Sequence, residues 1–457
     1  MATKHDTKKQ LYILAATILG SSIVGIDGNI VGLALPAIGG DLHANFANLQ
    51  WIMDGYLLSL SALILLGGSL GDILGRKKVY LVGLAGFGIS SLLCALSFDP
   101  TMLIFARVLQ GIFGALLVPG ALAIINTSFL PEARGKAIGH WAAWGSISFI
   151  VGPLLGGFIL DIASWHWIFL INIPLIIACY YLTAKWVNEA KDPEPRTIDV
   201  RGAVLASLSL AGITFGLIEG PAQQWSLATI TALIGGVVLG TLFILNESRT
   251  KDPMVHLSLF KSGNFAGANL MTFLLYGALA GFIFAFTIYL QTHLHYTAIQ
   301  AGLSALPVTL GIAFFSSKVG ALAAKYGARW FLVVGPLLVA IGMATLIFLK
   351  PGASYITAIL PGILLFSAGM VCVVSPLTAT VMASVSDKSS GVASGVNNAV
   401  SRVSGLVIIA ALGLAGTANV YPFAVALSAG MALLAAIVSY FMIQNTPVSA
   451  PSVIIGK

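Results

Sequence analysis

The chain runs to 457 residues, 58% of them hydrophobic and 9% charged, with 23 Lys and Arg against 16 Asp and Glu for a formal charge of +7. Soluble domains are roughly 25% charged and 45–50% apolar, so this composition excludes a water-soluble globular chain. The charges gather in short loops between apolar runs, which assigns the basic excess to a membrane face and needs no nucleic-acid partner.

A helix crossing a bilayer takes about 20 mostly apolar residues. Runs of that kind predict fourteen spans, at 11–36, 50–70, 78–98, 100–128, 136–160, 165–186, 200–220, 226–246, 264–290, 299–320, 330–349, 354–382, 391–415 and 421–443. The expected fold class is all-α integral membrane. The first run exceeds the roughly 7–15-residue core of a signal peptide and has no small-residue cleavage site, so it reads as a retained span. With Lys4, Lys8 and Lys9 on the cytoplasmic side, Lys350 is the one basic residue left in the outer loops. Both termini are then cytoplasmic, and the protein is a multi-pass chain of the plasma membrane.

Span one, SSIVGIDGNIVGLALP (21–36), holds a lone carboxylate, Asp27, and span four, RVLQGIFGALLVPG (107–120), holds a lone guanidinium, Arg107. A charge at the centre of a spanning helix costs ~2.5–3.5 kcal/mol on insertion scales and ordinarily faces the bundle interior with a partner. Arg107 lies seven residues from Pro100 and Asp27 nine from Pro36, so both sit roughly 10–14 Å below the outer surface at 1.5 Å per residue. The shared depth predicts that they pair; snorkelling of Arg107 to the outer surface is the alternative. Burial opposes the charged form of a carboxylate and a nearby cation supports it. A change that shifts the cation or admits water then alters how tightly the acid holds a proton, which is a coupling device. Proton entry supplies ~2.3 kcal/mol per 100 mV and ~1.4 kcal/mol per pH unit. An ion pair that never titrates is the alternative.

Two further acids stand at span edges, Asp54 about one turn into span two and Glu219 at the outer end of span seven. Each extends an outer proton path or is a solvated helix end. GSLGDILGRKK (68–78) closes span two and opens span three, with Asp72 among the cations Arg76, Lys77 and Lys78 and with Gly68, Gly71 and Gly75 allowing close backbone approach. In GSISFIVGPLLGG (145–157), Gly145, Gly152 and Gly156 fall on one helix face, followed by Gly157, while Pro153 removes a backbone hydrogen bond and favours a bend. Arg402, with Asn397 and Asn398, occupies span thirteen and either snorkels inward or faces a cavity. Trp141, Trp144, Phe282, Phe284, Phe286 and Tyr289, with Gln110, are candidates for lining a substrate cavity; lipid contact is the alternative for the aromatic rings. Cys94, Cys179 and Cys372 fall in separate apolar spans without C-x-x-C spacing and read as free thiols. His293 and His295 read as a solvated loop pair.

Two internal echoes set a repeat. SLGDILGRKKVYLVG (69–83) matches ALAAKYGARWFLVVG (321–335), an offset of 252, and RGKAIG (134–139) matches SGVASG (390–395), an offset of 256. Spans two, three and five then correspond to spans ten, eleven and thirteen. The expected organisation is an N-terminal six-helix bundle over 1–187, linkers and two inserted helices over 188–263, and a C-terminal six-helix bundle with a short tail over 264–457. Parallel six-helix halves are a transporter architecture with substrate held near the midplane. MVHLSLFK (254–261) reads as an amphipathic surface segment or a plain connecting loop.

The 68–78 segment has the G-x-L-x-D-x-x-G-R-[KR] form of the major facilitator superfamily, which the chain resembles. That resemblance implies a conformational latch at Gly68, Asp72, Gly75, Arg76 and Lys77, one-sided here because the repeat places Ala324 at the acidic position. R-x-x-Q-G at Arg107, Gln110 and Gly111 resembles the superfamily's fourth-helix signature, implicated in proton transfer. G-x(6)-G-P-x-x-G-G resembles its antiporter signature. WHWIFLINIP (165–174), the first span and LQWIMDGY (49–56) are similar to the fourteen-span drug:proton antiporter family, with His166 where Arg is usual and Asp54 where a small polar residue is usual.

The resemblance implies a proton-coupled antiporter exporting drugs or toxic lipophilic molecules by alternating access, two bundles rocking about a central cavity. Its partners would be a small-molecule substrate, protons and the lipid bilayer, with no cofactor and a monomeric state. Span ten carries no acid, which favours monovalent or neutral substrates over dications. A dedicated exporter or importer of one metabolite on the same fold is the alternative. A membrane receptor or enzyme is less favoured, because no Walker loop, metal-ligand cluster or nucleophile elbow is present.

Overall fold

The structure is a computed structural model describing residues 4–192, 199–385, 390–416 and 419–445. The helices are α1 (Lys4–Asp41), α2 (Phe46–Leu74), α3 (Arg76–Ala95), α4 (Pro100–Ser128), α5 (Pro131–Ile162), α6 (Trp167–Leu170), α7 (Asn172–Trp186), α8 (Val200–Ala222) and α9 (Leu227–Arg249). They continue with α10 (Gly263–Thr292), α11 (Ala298–Ser304), α12 (Leu306–Tyr326), α13 (Arg329–Thr345), α14 (Leu360–Ala383), α15 (Ser390–Ala411) and α16 (Val420–Met442). No strand occurs among the described residues.

The helix ends follow local chemistry. Asn45 caps α2 by accepting from Asn48 N at 2.8 Å, and Asp99 caps α4 by accepting from Thr101 N and Met102 N, with Pro100 at the first helical position, where its missing N–H costs nothing. Asp199 and Ser226 do the same for α8 and α9. Gly75 ends α2 with φ of 118° and its N–H on Gly71 O, and Gly327 ends α12 with φ of 91° and its N–H on Ala323 O. These are the two glycines that the 252-residue offset puts in register, and only glycine adopts such a φ without strain.

Among the described residues twelve helical segments are long and apolar enough to cross a membrane. The remaining two of the fourteen expected spans, 136–160 and 330–349, fall on shorter apolar helical stretches, Val151–Ile162 within α5 and Arg329–Thr345. Span six is interrupted between α6 and α7 yet runs 20 residues in all. The outward surface suits hydrocarbon: α9 exposes Ile234, Val237, Val238, Leu242 and Leu245, a stripe that a soluble protein covers. This is a multi-pass membrane protein.

The chain divides into two compact units. The first comprises Met1–His256, Ile283–Leu303 and Gly405–Val420. In it α1 packs on α5 and α7, α4 on both α2 and α3, and α8 on α9 and α2. Tyr56, Tyr80, Phe87 and Leu117 fill its centre, and the Tyr80 hydroxyl donates to Ala16 O at 3.1 Å. The second comprises Leu257–Phe282, Ser304–Ser404 and Tyr421–Lys457. There α14 lies against α12 and α13, so closely that a Cβ on Gly369 would stand 2.8 Å from Val339 N. Asn397 Nδ2 donates to Thr272 Oγ1 at 2.8 Å and Asn269 Oδ1 at 3.2 Å, and Arg402 is half-buried.

Candidate functional site

The centre of the first unit holds a charged cluster built from five helices, α1, α2, α3, α4 and α7. Asp27 on α1 is 1% exposed and Arg107 on α4 is 0% exposed, and Arg107 Nη1 stands 2.5 Å from Asp27 Oδ2. The other carboxylate oxygen, Oδ1, accepts from Gln110 Nε2 at 3.0 Å and from Asn172 Nδ2, on α7, at 2.9 Å. Ser91 on α3 accepts from both amides, at 2.8 Å and 3.3 Å. Arg107 Nε donates to Ile52 O at 3.1 Å and Nη1 also to Gln110 Oε1 at 2.6 Å, while the guanidinium lies 4.2 Å over the Tyr56 ring.

A buried ion pair survives when further hydrogen bonds satisfy what the partner leaves over. Here the carboxylate is saturated by one charged donor and two neutral amides. The guanidinium is not: Nη2 is buried without a partner in the protein, as is Asn172 Oδ1. The two charges compensate each other, while hydrogen bonding is complete for both oxygens of the acid and incomplete at the base.

Gln110, expected at a cavity wall, lies inside this cluster because it sits one turn along α4 from Arg107. Trp144 does line an apolar cavity of about 580 Å³, with Leu14, Ile18, Ser22, Ile26 and His140. Trp141 instead donates its indole N–H to Ser21 Oγ at 2.9 Å. Tyr289 stacks on His293 at 4.7 Å. Asp54 is 0% exposed and neither carboxylate oxygen has a protein partner. Glu219 accepts from Trp51 Nε1 at 2.9 Å and Gln223 Nε2 at 3.0 Å.

At the α2–α3 turn Asp72, in the last turn of α2, pairs at 2.7 Å with Arg76, the first residue of α3. The segment after α7 folds back onto this turn. Glu189 accepts from Lys77 N at 3.0 Å and Lys78 N at 3.1 Å, capping α3 with a negative charge where the helix dipole favours one. Arg76 N donates to Ala190 O, Asp192 N donates to Asp72 O, and Lys77 Nζ reaches Ala184 O at 2.7 Å. A Cβ on Gly75 would come within 2.7 Å of the Glu189 carboxyl, and Gly68 faces Pro119 of α4.

Gly152 and Gly156 of α5 let it lie against α1: added Cβ atoms would stand 3.3 Å from Asn29 Cβ and 3.0 Å from Ile30. Gly157 does the same toward Ile299, and Pro153 O faces Gly302. The surroundings of Gly145 lie outside the described residues.

The sequence profile of the Major Facilitator Superfamily matches residues 17–409, with a second match over 268–456. The chain belongs to the Major Facilitator Superfamily. It is 33% identical to the tetracenomycin C resistance and export protein of Streptomyces glaucescens over 88% of this chain and 75% of that one. It is 32% identical to the puromycin resistance protein pur8 of Streptomyces alboniger, over 95% of this chain and 90% of that one. Among solved structures, a peptide transporter of the POT type in complex with sulfate superposes with a TM-score of 0.71 at 13% identity, covering 94% and 93% of the two chains; the likeness is one of fold.

In this superfamily member the sequence exposed two corners of the charged cluster, Asp27 and Arg107, as charges in apolar runs. Asn172, Ser91 and Tyr56 went unassigned. Asn172 carried a faint signal, being a carboxamide in the apolar stretch WHWIFLINIP. Ser91 carried none, since serine is common in membrane helices and only the packing of α3 shows which way it points. Glu189 was hidden in what read as a linker.

Proposed function

We propose that the protein is a proton-coupled antiporter that exports lipophilic small molecules by alternating access. The carrying observation is the buried Asp27–Arg107 pair, whose acid is held by one cation and two neutral amides. Protonation of Asp27 removes its attraction for Arg107 and adds a donor where only acceptors stood. The proton arrives from the outer side. Substrate from the inner side favours the deprotonated state, so each ligand displaces the other and the cycle exchanges them. The relatives are named for resistance to, or export of, puromycin and tetracenomycin C. Such molecules are the substrate class proposed here, as monovalent or neutral species.

The same reading assigns fourteen spans as two six-helix halves, 1–187 and 264–457, with an inserted pair between them in sequence. It assigns cytoplasmic termini in the plasma membrane, a monomeric state, and a latch of Gly68, Asp72, Gly75, Arg76 and Lys77 at the α2–α3 turn, where Asp72, Gly75, Arg76 and Lys77 meet the 189–192 segment and Gly68 faces Pro119. The stretch of α5 that carries Gly145, Gly152, Pro153, Gly156 and Gly157 is the hinge; the packing in which Gly152 and Gly156 let α5 approach α1 supports that role.

The test is purified protein in liposomes with a lumenal pH indicator, to which puromycin or a lipophilic dye is added. Antiport predicts proton movement opposite to drug movement, and drug accumulation driven by an imposed pH gradient. Drug flux indifferent to the gradient overturns the proposal.

A further inference from the structure

A second acid of the first unit has neither salt bridge nor hydrogen bond. Asp54 is 0% exposed and neither of its carboxylate oxygens has a partner in the protein. A buried ionised carboxylate without compensation is among the costliest arrangements a protein can make, and such groups neutralise instead. The Asp27 carboxylate, by contrast, accepts from three donors. Asp27 on α1 and Asp54 on the next helix, α2, thus have opposite surroundings within one unit.

The place of Asp54 is fixed by its neighbours on α2. Gln50, four residues earlier on the same face, donates to Ile409 O at 2.6 Å and Ala410 O at 3.1 Å. Trp51, three residues earlier, donates to Glu219 on α8. Asp54 therefore lies on the side of α2 that meets α8 and the 405–416 segment, about 4.5 Å further along the helix axis than the Trp51–Glu219 bond. Glu219 itself is half-buried and bonded to the exposed Gln223, so it touches solvent at one end of this row.

The titratable groups described on elements packed against α2 are Lys8, Lys9, Tyr12, Asp27 and Asp41 on α1, Arg76, Lys77, Lys78, Tyr80 and Cys94 on α3, Arg107 on α4, and Arg201 and Glu219 on α8. Asp27 and Arg107 are committed to each other, and Asp41 accepts from Trp165. None of these groups bonds Asp54.

We propose that Asp54 is a second proton-binding site of the transport cycle, reached from solvent through Glu219 of helix α8. The inserted pair α8–α9 then takes part in proton supply, with Glu219 as the entry carboxylate and Asp54 as the acid that stores the proton between α2 and α8. The proton passes from the Glu219 carboxyl to the Asp54 carboxylate by way of intervening water, as a transfer between groups that share no hydrogen bond requires, leaving Glu219 ionised and ready for the next. This rests on the antiport reading for its place in the cycle, while the protonated state of Asp54 stands on its surroundings alone.

The test is infrared difference spectroscopy of the purified protein, with the proton-to-substrate ratio measured from reversal potentials in liposomes. The expected result is a protonated-carboxyl band at neutral pH that Asp54→Asn removes and Asp27→Asn leaves, with a ratio lowered by one in Asp54→Asn. Positioned proton-transfer groups contribute roughly 10²–10⁴-fold to rate, so Glu219→Gln should slow deuterium exchange of that band by at least about tenfold. Should Asp54→Asn not accumulate in the membrane, Asp54→Glu reports through a shifted band. A band untouched by Asp54→Asn, or an unchanged ratio, overturns this proposal and leaves the Asp27 reading standing. Normal coupling in Asp27→Asn with the Asp54 band intact does the reverse.

Discussion

Arg107 gives one nitrogen to Asp27 and holds another, Nη2, buried without a protein partner, so the salt bridge is saturated at the acid and unsaturated at the base. A guanidinium with a spare donor can exchange one acceptor for another at less cost than a fully bonded one. The fixed points of Arg107 are Ile52 O and the Tyr56 ring, which hold the base in place while its bond to the acid is made and released.

Removing the base leaves Asp27 buried with two neutral donors. Breaking a buried pair on one side costs about 3–5 kcal/mol, so Arg107→Ala should lower the melting temperature markedly and abolish coupled transport. Arg107→Lys keeps the charge but cannot reach Asp27, Gln110 and Ile52 O together; it should accumulate better than Arg107→Ala yet remain uncoupled. Thermal melts in detergent and liposome flux check both.

Asn172 donates to Asp27 while its own oxygen has no partner. A turned carboxamide would present that oxygen to a protonated Asp27, so Asn172 serves both states of the acid. Loss of a hydrogen bond to a charged group costs about 1.5–3 kcal/mol. Asn172→Leu should therefore lower coupled transport in liposomes, because the acid loses one of its three donors. Unchanged coupled transport counts against this role.

Glu189 ties the 189–192 segment to the first turn of α3 through two backbone bonds. Glu189→Gln removes the charge and one of the two acceptor oxygens, and Glu189→Ala removes both. Turnover should fall in the order wild type, Gln, Ala, with drug affinity little changed. Transport kinetics at saturating drug separate that outcome from a binding defect.

Gly156 has room for no side chain beside Ile30. Overpacking a tight contact costs typically about 1–3 kcal/mol, so Gly156→Val should separate α1 from α5 and reduce transport more than Gly139→Val, made where a Cβ meets open space. Flux per molecule in the membrane is the measure.

How much of this was legible beforehand follows from what each signal depends on. Asp27 and Arg107 were found because an ionisable group stands out in an apolar run and helix rise converts position to depth. That Gly75 and Gly327 both end a helix at positive φ was legible from the 252-residue echo, because glycine is the residue that takes this conformation without strain. Ser91, Asn172 and Tyr56 were not, because which face of α3, α7 or α2 turns inward is decided by packing among helices that are apolar all round. The same holds for Asp54, whose position at a span edge suggested solvent until the α2–α8 contact showed it enclosed. The docking of Glu189 depends on a backbone path that a polar, Pro-containing segment does not reveal.

The central claim is that Asp27 gives up a proton when drug binds. The most direct measurement is proton release from wild type and Asp27→Asn, each purified in weakly buffered detergent solution, on addition of saturating puromycin or a lipophilic dye that the protein transports. The account predicts a pulse of released protons in wild type, absent from Asp27→Asn in a form that remains folded. Equal release from both chains would contradict it.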